Sequence, residues 1–110
     1  MIGKTINEEL EKFKKSNTNK YFDIKKSNPF PCSVSSDITY WVLETDALGK
    51  PMHMAATIDV EDLIGSYRIN IEYRMKYYPD FGVYAENIAK AFDGTYTVNI
   101  ADMSSNKKGE

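Results

Sequence analysis

Cys32 and His53 are the only thiol and the only imidazole in the chain, and so the only pair from which a cysteine nucleophile and a histidine base could be assembled. Cys32 lies between Pro31 and Ser33 without a family-type signature. His53 falls on the polar side of a predicted strand, opposite Arg74, whose charge disfavours a protonated imidazole. The carboxylates of Asp59, Glu61 and Asp62 cluster in DVED, yet the Asp, Gly and Glu spacing of an EF-hand loop is missing. One Cys and one His cannot supply four zinc ligands without carboxylates or a second subunit. The glycines are scattered, and none builds a strand-to-helix phosphate cradle. Neither a catalytic centre, a metal nor a cofactor is expected.

Binding chemistry is better supported. In YRINIEYRMKYY, Tyr67, Ile69, Ile71, Tyr73, Met75 and Tyr77 alternate with Arg68, Asn70, Glu72, Arg74, Lys76 and Tyr78. That period of two predicts a strand with an apolar side against the core and a charged side facing outward. DITYWVLET, residues 37–45, carries Ile38, Tyr40 and Val42 on one side and Trp41 and Leu43 on the other. Apolar residues on both sides mean a central strand covered twice, or one face reserved for a partner. The expected partner-binding set is Trp41, Leu43, His53, Arg68, Arg74, Lys76 and Tyr78, sharing one sheet face. Trp, Tyr and Arg are the anchors that protein interfaces favour. Aromatics interleaved with cations also serve single-stranded nucleic-acid binders, which is the alternative reading. A third arrangement leaves neither: the first helix lies on this face and buries Trp41 and Leu43 under Leu10 and Phe13.

The elements that position these residues follow from the same patterning. Thr5 and Glu8 fit a capping box, and Ile2, Ile6, Leu10 and Phe13 form a narrow stripe, so a helix is expected from about Ile6 to Lys15. Residues 16–36 form a connector rich in Ser, Asn and Lys, with Tyr21, Phe22, Ile24 and Phe30 packing as an edge strand or a strap. Met52 to Glu61 is a second alternating strand. Joined to the Tyr67 strand as a hairpin, it sets Val60 opposite Tyr67, Ile58 opposite Ile69 and Ala56 opposite Ile71. The same register puts Asp59 opposite Arg68, a pairing that adds roughly 0.2 to 1 kcal/mol. Pro79 ends the strand and Asp80 caps a helix running to about Phe92, whose stripe is Phe81, Tyr84, Ala85, Ile88 and Phe92. Thr95 to Ala101 closes the fold as a strand with Tyr96, Val98 and Ile100 inward. The expected architecture is α+β: an antiparallel sheet of four to five strands, one helix on its apolar face, and a short N-terminal helix. That face is expected from Met54, Ala56, Ile58, Ile69, Ile71 and Tyr73.

Composition sets the outer limits. At 110 residues the chain is expected to make one domain over residues 1–101, with 102–110 a flexible polar tail. Fourteen basic against sixteen acidic residues leave a net charge of −2, too little to draw phosphate by bulk attraction. A single cysteine permits no internal disulfide, and nowhere do about 18 apolar residues run together, so a cytoplasmic, non-membrane protein is expected. The excess of Lys over Arg, with many Ile and Asn, reads as the bias of an AT-rich bacterial or phage genome.

Helix, three antiparallel strands, helix resembles the double-stranded RNA-binding domain in outline. Its second helix opens DFGVYAENIAK, where that family presents lysines to phosphate, so no residue carries over. Small acidic dimeric secretion chaperones are similar in element order, without a shared motif. The function expected is a small non-enzymatic binding or regulatory protein, acting through the sheet face on a protein partner or on itself as a homodimer.

Overall fold

The structure is a computed structural model that describes residues 2–27, 38–63, 66–91 and 94–101. Its elements are α1 (Ile2–Ser16), β1 (Tyr21–Ser27), β2 (Ile38–Thr45), β3 (Pro51–Leu63), β4 (Ser66–Tyr73), α2 (Phe81–Lys90) and β5 (Gly94–Ile100). The five strands form one sheet in chain order. The first three pairings are antiparallel and the last, β4 with β5, is parallel. That parallel pair follows from α2: a helix between consecutive strands carries the chain back to the end from which β4 began. The fold is therefore α+β with a mostly antiparallel sheet, and its fifth strand departs from the all-antiparallel expectation.

Both helices lie on one face of the sheet. Ile6, Leu10 and Phe13 of α1 and Phe81, Ala85, Ile88 and Ala89 of α2 are buried against Tyr40, Val42, Ala56, Ile58, Val60, Ile69, Ile71 and Tyr73. Phe13 is the hub, its ring centroid 4.8 Å from Phe22, 4.9 Å from Phe81 and 5.8 Å from Tyr84. Polar clips join the antiparallel helices: Asn87 Nδ2 donates to Glu9 at 3.1 Å, and Asn17 Nδ2 donates to Asp80 at 3.1 Å. The idea that α1 covers Trp41 is overturned. A stripe as narrow as Ile6, Leu10 and Phe13 buries itself better in the groove between α2 and β1 than on a second surface.

Local boundaries moved for identifiable reasons. Helix α1 starts at Ile2, which places Thr5 inside it instead of at its cap. Asp80 does precede α2 but makes no side-chain cap bond, since its carboxylate is engaged by Ser16 and Asn17. The predicted stripe residue Phe92 lies outside the described residues, and Ala89 is buried beside the others. Strand β4 ends at Tyr73, five residues short of the expected Tyr78. The Arg74 N–H still reaches the Ala55 carbonyl at 3.1 Å, but the Arg74 carbonyl accepts from the N–H groups of Tyr77 and Tyr78 at 3.2 and 2.8 Å. A turn has captured the backbone there.

The β3–β4 hairpin exists, with its register displaced by two residues. Val60 faces Ile69, Ile58 faces Ile71, Ala56 faces Tyr73, and Glu61 takes the place expected for Asp59 opposite Arg68. A two-residue shift leaves every side chain on its predicted face, so burial does not distinguish the two registers. Pairing runs on to Leu63 and Ser66, nearer the connection than the sequence implied. Between β2 and β3 a bulge leaves Ala55 as an extra residue, since Val42 faces Ala56 while Leu43 faces Met54. Alternation reverses across it. Ala55 and Ala56 are both buried, and Met54, expected in the core, is 36% exposed on the opposite side.

Candidate interaction face

The sheet face turned away from the helices is built by alternation. In β1, Phe22 and Ile24 point to the core, so Tyr21, Asp23 and Lys25 point outward. In β2, Tyr40 and Val42 are buried, so Trp41 and Leu43 take the open side. Trp41 pairs with Lys25 on one flank and Thr57 on the other, and Thr57 pairs with Glu72. Leu43 sits between Asp23 and Met54. Tyr21, Trp41, Leu43 and Met54 therefore form an apolar zone over β1 to β3. Trp41 and Leu43 are half-buried, and Tyr21 and Met54 are exposed. Among the described residues, no helix or loop covers this zone.

The other half of the face is polar and internally satisfied. Thr39 Oγ1 donates to Asp59 at 2.7 Å, Arg68 pairs with Glu61 at 3.1 Å, and Asn99 Nδ2 donates to Asn70 at 3.3 Å. Ile38, Thr39, Asp59, Val60, Glu61, Arg68 and Asn70 line a shallow hollow there. Of the DVED carboxylates, Asp59 and Glu61 are thus engaged by a hydroxyl and a guanidinium. No group of three metal-ligating side chains occurs among the described residues. Asp23, Asp59, Glu61 and Glu72 outnumber Lys25 and Arg68, so the face is acidic on balance.

The seven residues expected to share this face are divided among three places. Trp41, Leu43 and Arg68 lie on it. His53, Arg74 and Lys76 gather instead around Tyr77, in the loop after β4: the His53 ring stacks on Tyr77 at 5.8 Å and 11°, the Arg74 guanidinium lies 4.9 Å from its centroid and the Lys76 ammonium 5.9 Å. Tyr77, expected in the core, is 44% exposed. Tyr78, expected on the outer face, is 1% exposed and packs edge-on near Phe13 and Phe22. Both exchanges have one cause: the turn at Arg74 abandons the alternation on which the placement relied.

Tyr78 donates its hydroxyl to the Glu44 carboxylate. Burial first, then that hydrogen bond and the charge of Glu44, push the Tyr78 hydroxyl well above its ordinary value near 10, with Arg74 opposing. This pair holds the loop to the sheet. Cys32 lies outside the described residues.

Sequence reasoning missed Tyr21, Met54 and Tyr77. Tyr21 lies in the segment expected as an edge strand or a strap, and its parity with Phe22 is a usable signal. Nothing in the sequence announced the bulge that turned Met54 outward. Among the described residues no helix is long and apolar enough to cross a membrane. Compared with protein families, with curated proteins and with solved structures, the chain matches none of them.

Proposed function

We propose that this protein is a small non-enzymatic binding module, cytoplasmic, that docks another protein on its open sheet face. The observation that carries the reading is the apolar zone of Trp41, Leu43, Met54 and Tyr21 on a face that both helices leave bare. A large aromatic beside aliphatic side chains, rimmed by charges, is the anatomy of a protein-binding patch. Trp41 supplies contact area, while Asp23 beside Leu43 and Glu72 beside Thr57 fix orientation by pairing with basic groups of the partner. The acidic balance of the face decides between occupants. A second copy laid face to face sets like net charge against like, and nucleic acid brings phosphates toward Asp59, Glu61 and Glu72. A partner with an apolar centre and a basic rim meets neither obstacle.

Trp41 is the only tryptophan, so its fluorescence reports on the face directly. A protein captured from a cell lysate by the wild type, then purified and titrated back, should shift Trp41 emission to the blue in moderate salt and bind Trp41→Ala at least about tenfold more weakly. Equal binding by wild type and Trp41→Ala, with emission unchanged, sinks the reading. An emission shift produced by single-stranded oligonucleotides and abolished by salt would replace the protein partner with the nucleic-acid alternative.

A further inference from the structure

The sheet has two edges, and they are defended unequally. Strand β1 carries Asp23, Lys25 and Lys26, charges of the kind that blunt an edge against further pairing. Strand β5, GTYTVNI, contains no charge and no proline and is rich in β-branched and aromatic residues. Its inner side bonds to β4, and among the described residues no strand lies on its outer side. Thr95, Thr97 and Asn99 are exposed on the open face, and Tyr96, on the helix side, is 44% exposed where an inward residue was expected to be covered. Val98 beside it is only half-buried. The core is thus unfinished at this edge.

We infer that a second copy of this chain completes it, the two β5 strands pairing antiparallel about a two-fold axis at Thr97. The segment is complementary to itself in that register. Thr97 faces its own counterpart, Tyr96 faces Val98 on the helix side, and Thr95 faces Asn99 on the open side. Each residue meets one of matching face, an aromatic meets a β-branched residue twice, and no like charges are opposed. The axis stands perpendicular to the sheet, so both helix layers remain on one side and both open faces on the other. The two five-stranded sheets become one of ten strands, presenting two Trp41 zones on the same side, toward its two ends. This assembly does not depend on the occupant of the open face.

The test uses the full chain, with solution mass measured by light scattering over a concentration series. Wild type should approach twice the 12.6 kDa of one chain. Thr97→Lys and Thr97→Glu, changes at an exposed position, should each dimerise at least about tenfold more weakly because like charges meet at the axis. An equimolar mixture of the two should recover the dimer in low salt, with circular dichroism confirming that each variant is folded. A wild type that stays at the single-chain mass throughout overturns the inference, as does a dimer indifferent to both Thr97 changes. A dimer split by Trp41→Ala but kept by Thr97→Lys overturns it in favour of face-to-face packing. A dimer that forms only after removal of residues 102–110 also overturns it, making the tail the occupant of the edge.

Discussion

The Tyr78 hydroxyl donates to the Glu44 carboxylate, joining the loop that follows β4 to a strand two places away in the sheet. Because Tyr78 is buried, Tyr78→Phe removes a charge-assisted bond and leaves the Glu44 carboxylate without this donor. The expected cost is about 2 kcal/mol in urea unfolding at neutral pH.

Burial of the Tyr78 hydroxyl, reinforced by this bond, gives an alkaline signature. In the unfolded chain the phenol ionises near 10, whereas the folded chain holds its proton to higher pH. The stability it contributes is complete below about pH 10 and is lost progressively above it. Burial raises Tyr40 as well, which adds a fall of the same sign in both proteins. Wild type should therefore lose stability more steeply above pH 10 than Tyr78→Phe, and the gap between them should narrow. A gap that stays constant up to about pH 11.5 would contradict the raised value.

Register can be read from energetic coupling. Arg68 pairs with Glu61 at 3.1 Å, both partly exposed, while Asp59 is held by Thr39. A double-mutant cycle of Arg68→Ala with Glu61→Ala should give a coupling of roughly 0.2 to 1 kcal/mol that shrinks with salt, and the cycle with Asp59→Ala should give almost none. The opposite result would restore the register expected from the sequence.

The side on which α1 docks sets the relative cost of two truncations. Leu10 is fully buried in the helix–sheet layer, so Leu10→Ala should cost about 2 to 5 kcal/mol. Trp41 lies half-buried on the bare face, so Trp41→Ala should cost about 1 kcal/mol, nearer the centre of the general distribution for point substitutions. Comparable large losses at both positions, measured by thermal and urea unfolding, would mean that a helix covers Trp41 after all.

What the sequence by itself determined is parity. The alternation in Tyr67–Tyr73 and Ala56–Val60 assigned every one of those side chains to its observed face, and the stripes Ile6, Leu10, Phe13 and Phe81, Ala85, Ile88 named the helix contacts. Parity survives because burial of one face penalises a slip of one residue and is silent about a slip of two. Long-range contacts decided the rest. The register settled two residues from the expected one, with pairing carried on to Leu63 and Ser66, and the bulge at Ala55 moved Met54 to the open face. The same bulge took His53 off the open face, and capture of the Arg74 carbonyl by Tyr77 and Tyr78 exchanged the places of those two tyrosines and took Arg74 and Lys76 away from Trp41. The choice of face for α1 belongs to the same class, for a helix stripe specifies what it must bury and not which side of a sheet receives it. Trp41, Leu43 and Arg68 could be named in advance because each sits inside a strand where local alternation holds. The remaining expected residues lie beyond a bulge or a turn, where backbone geometry set by distant partners overrides it.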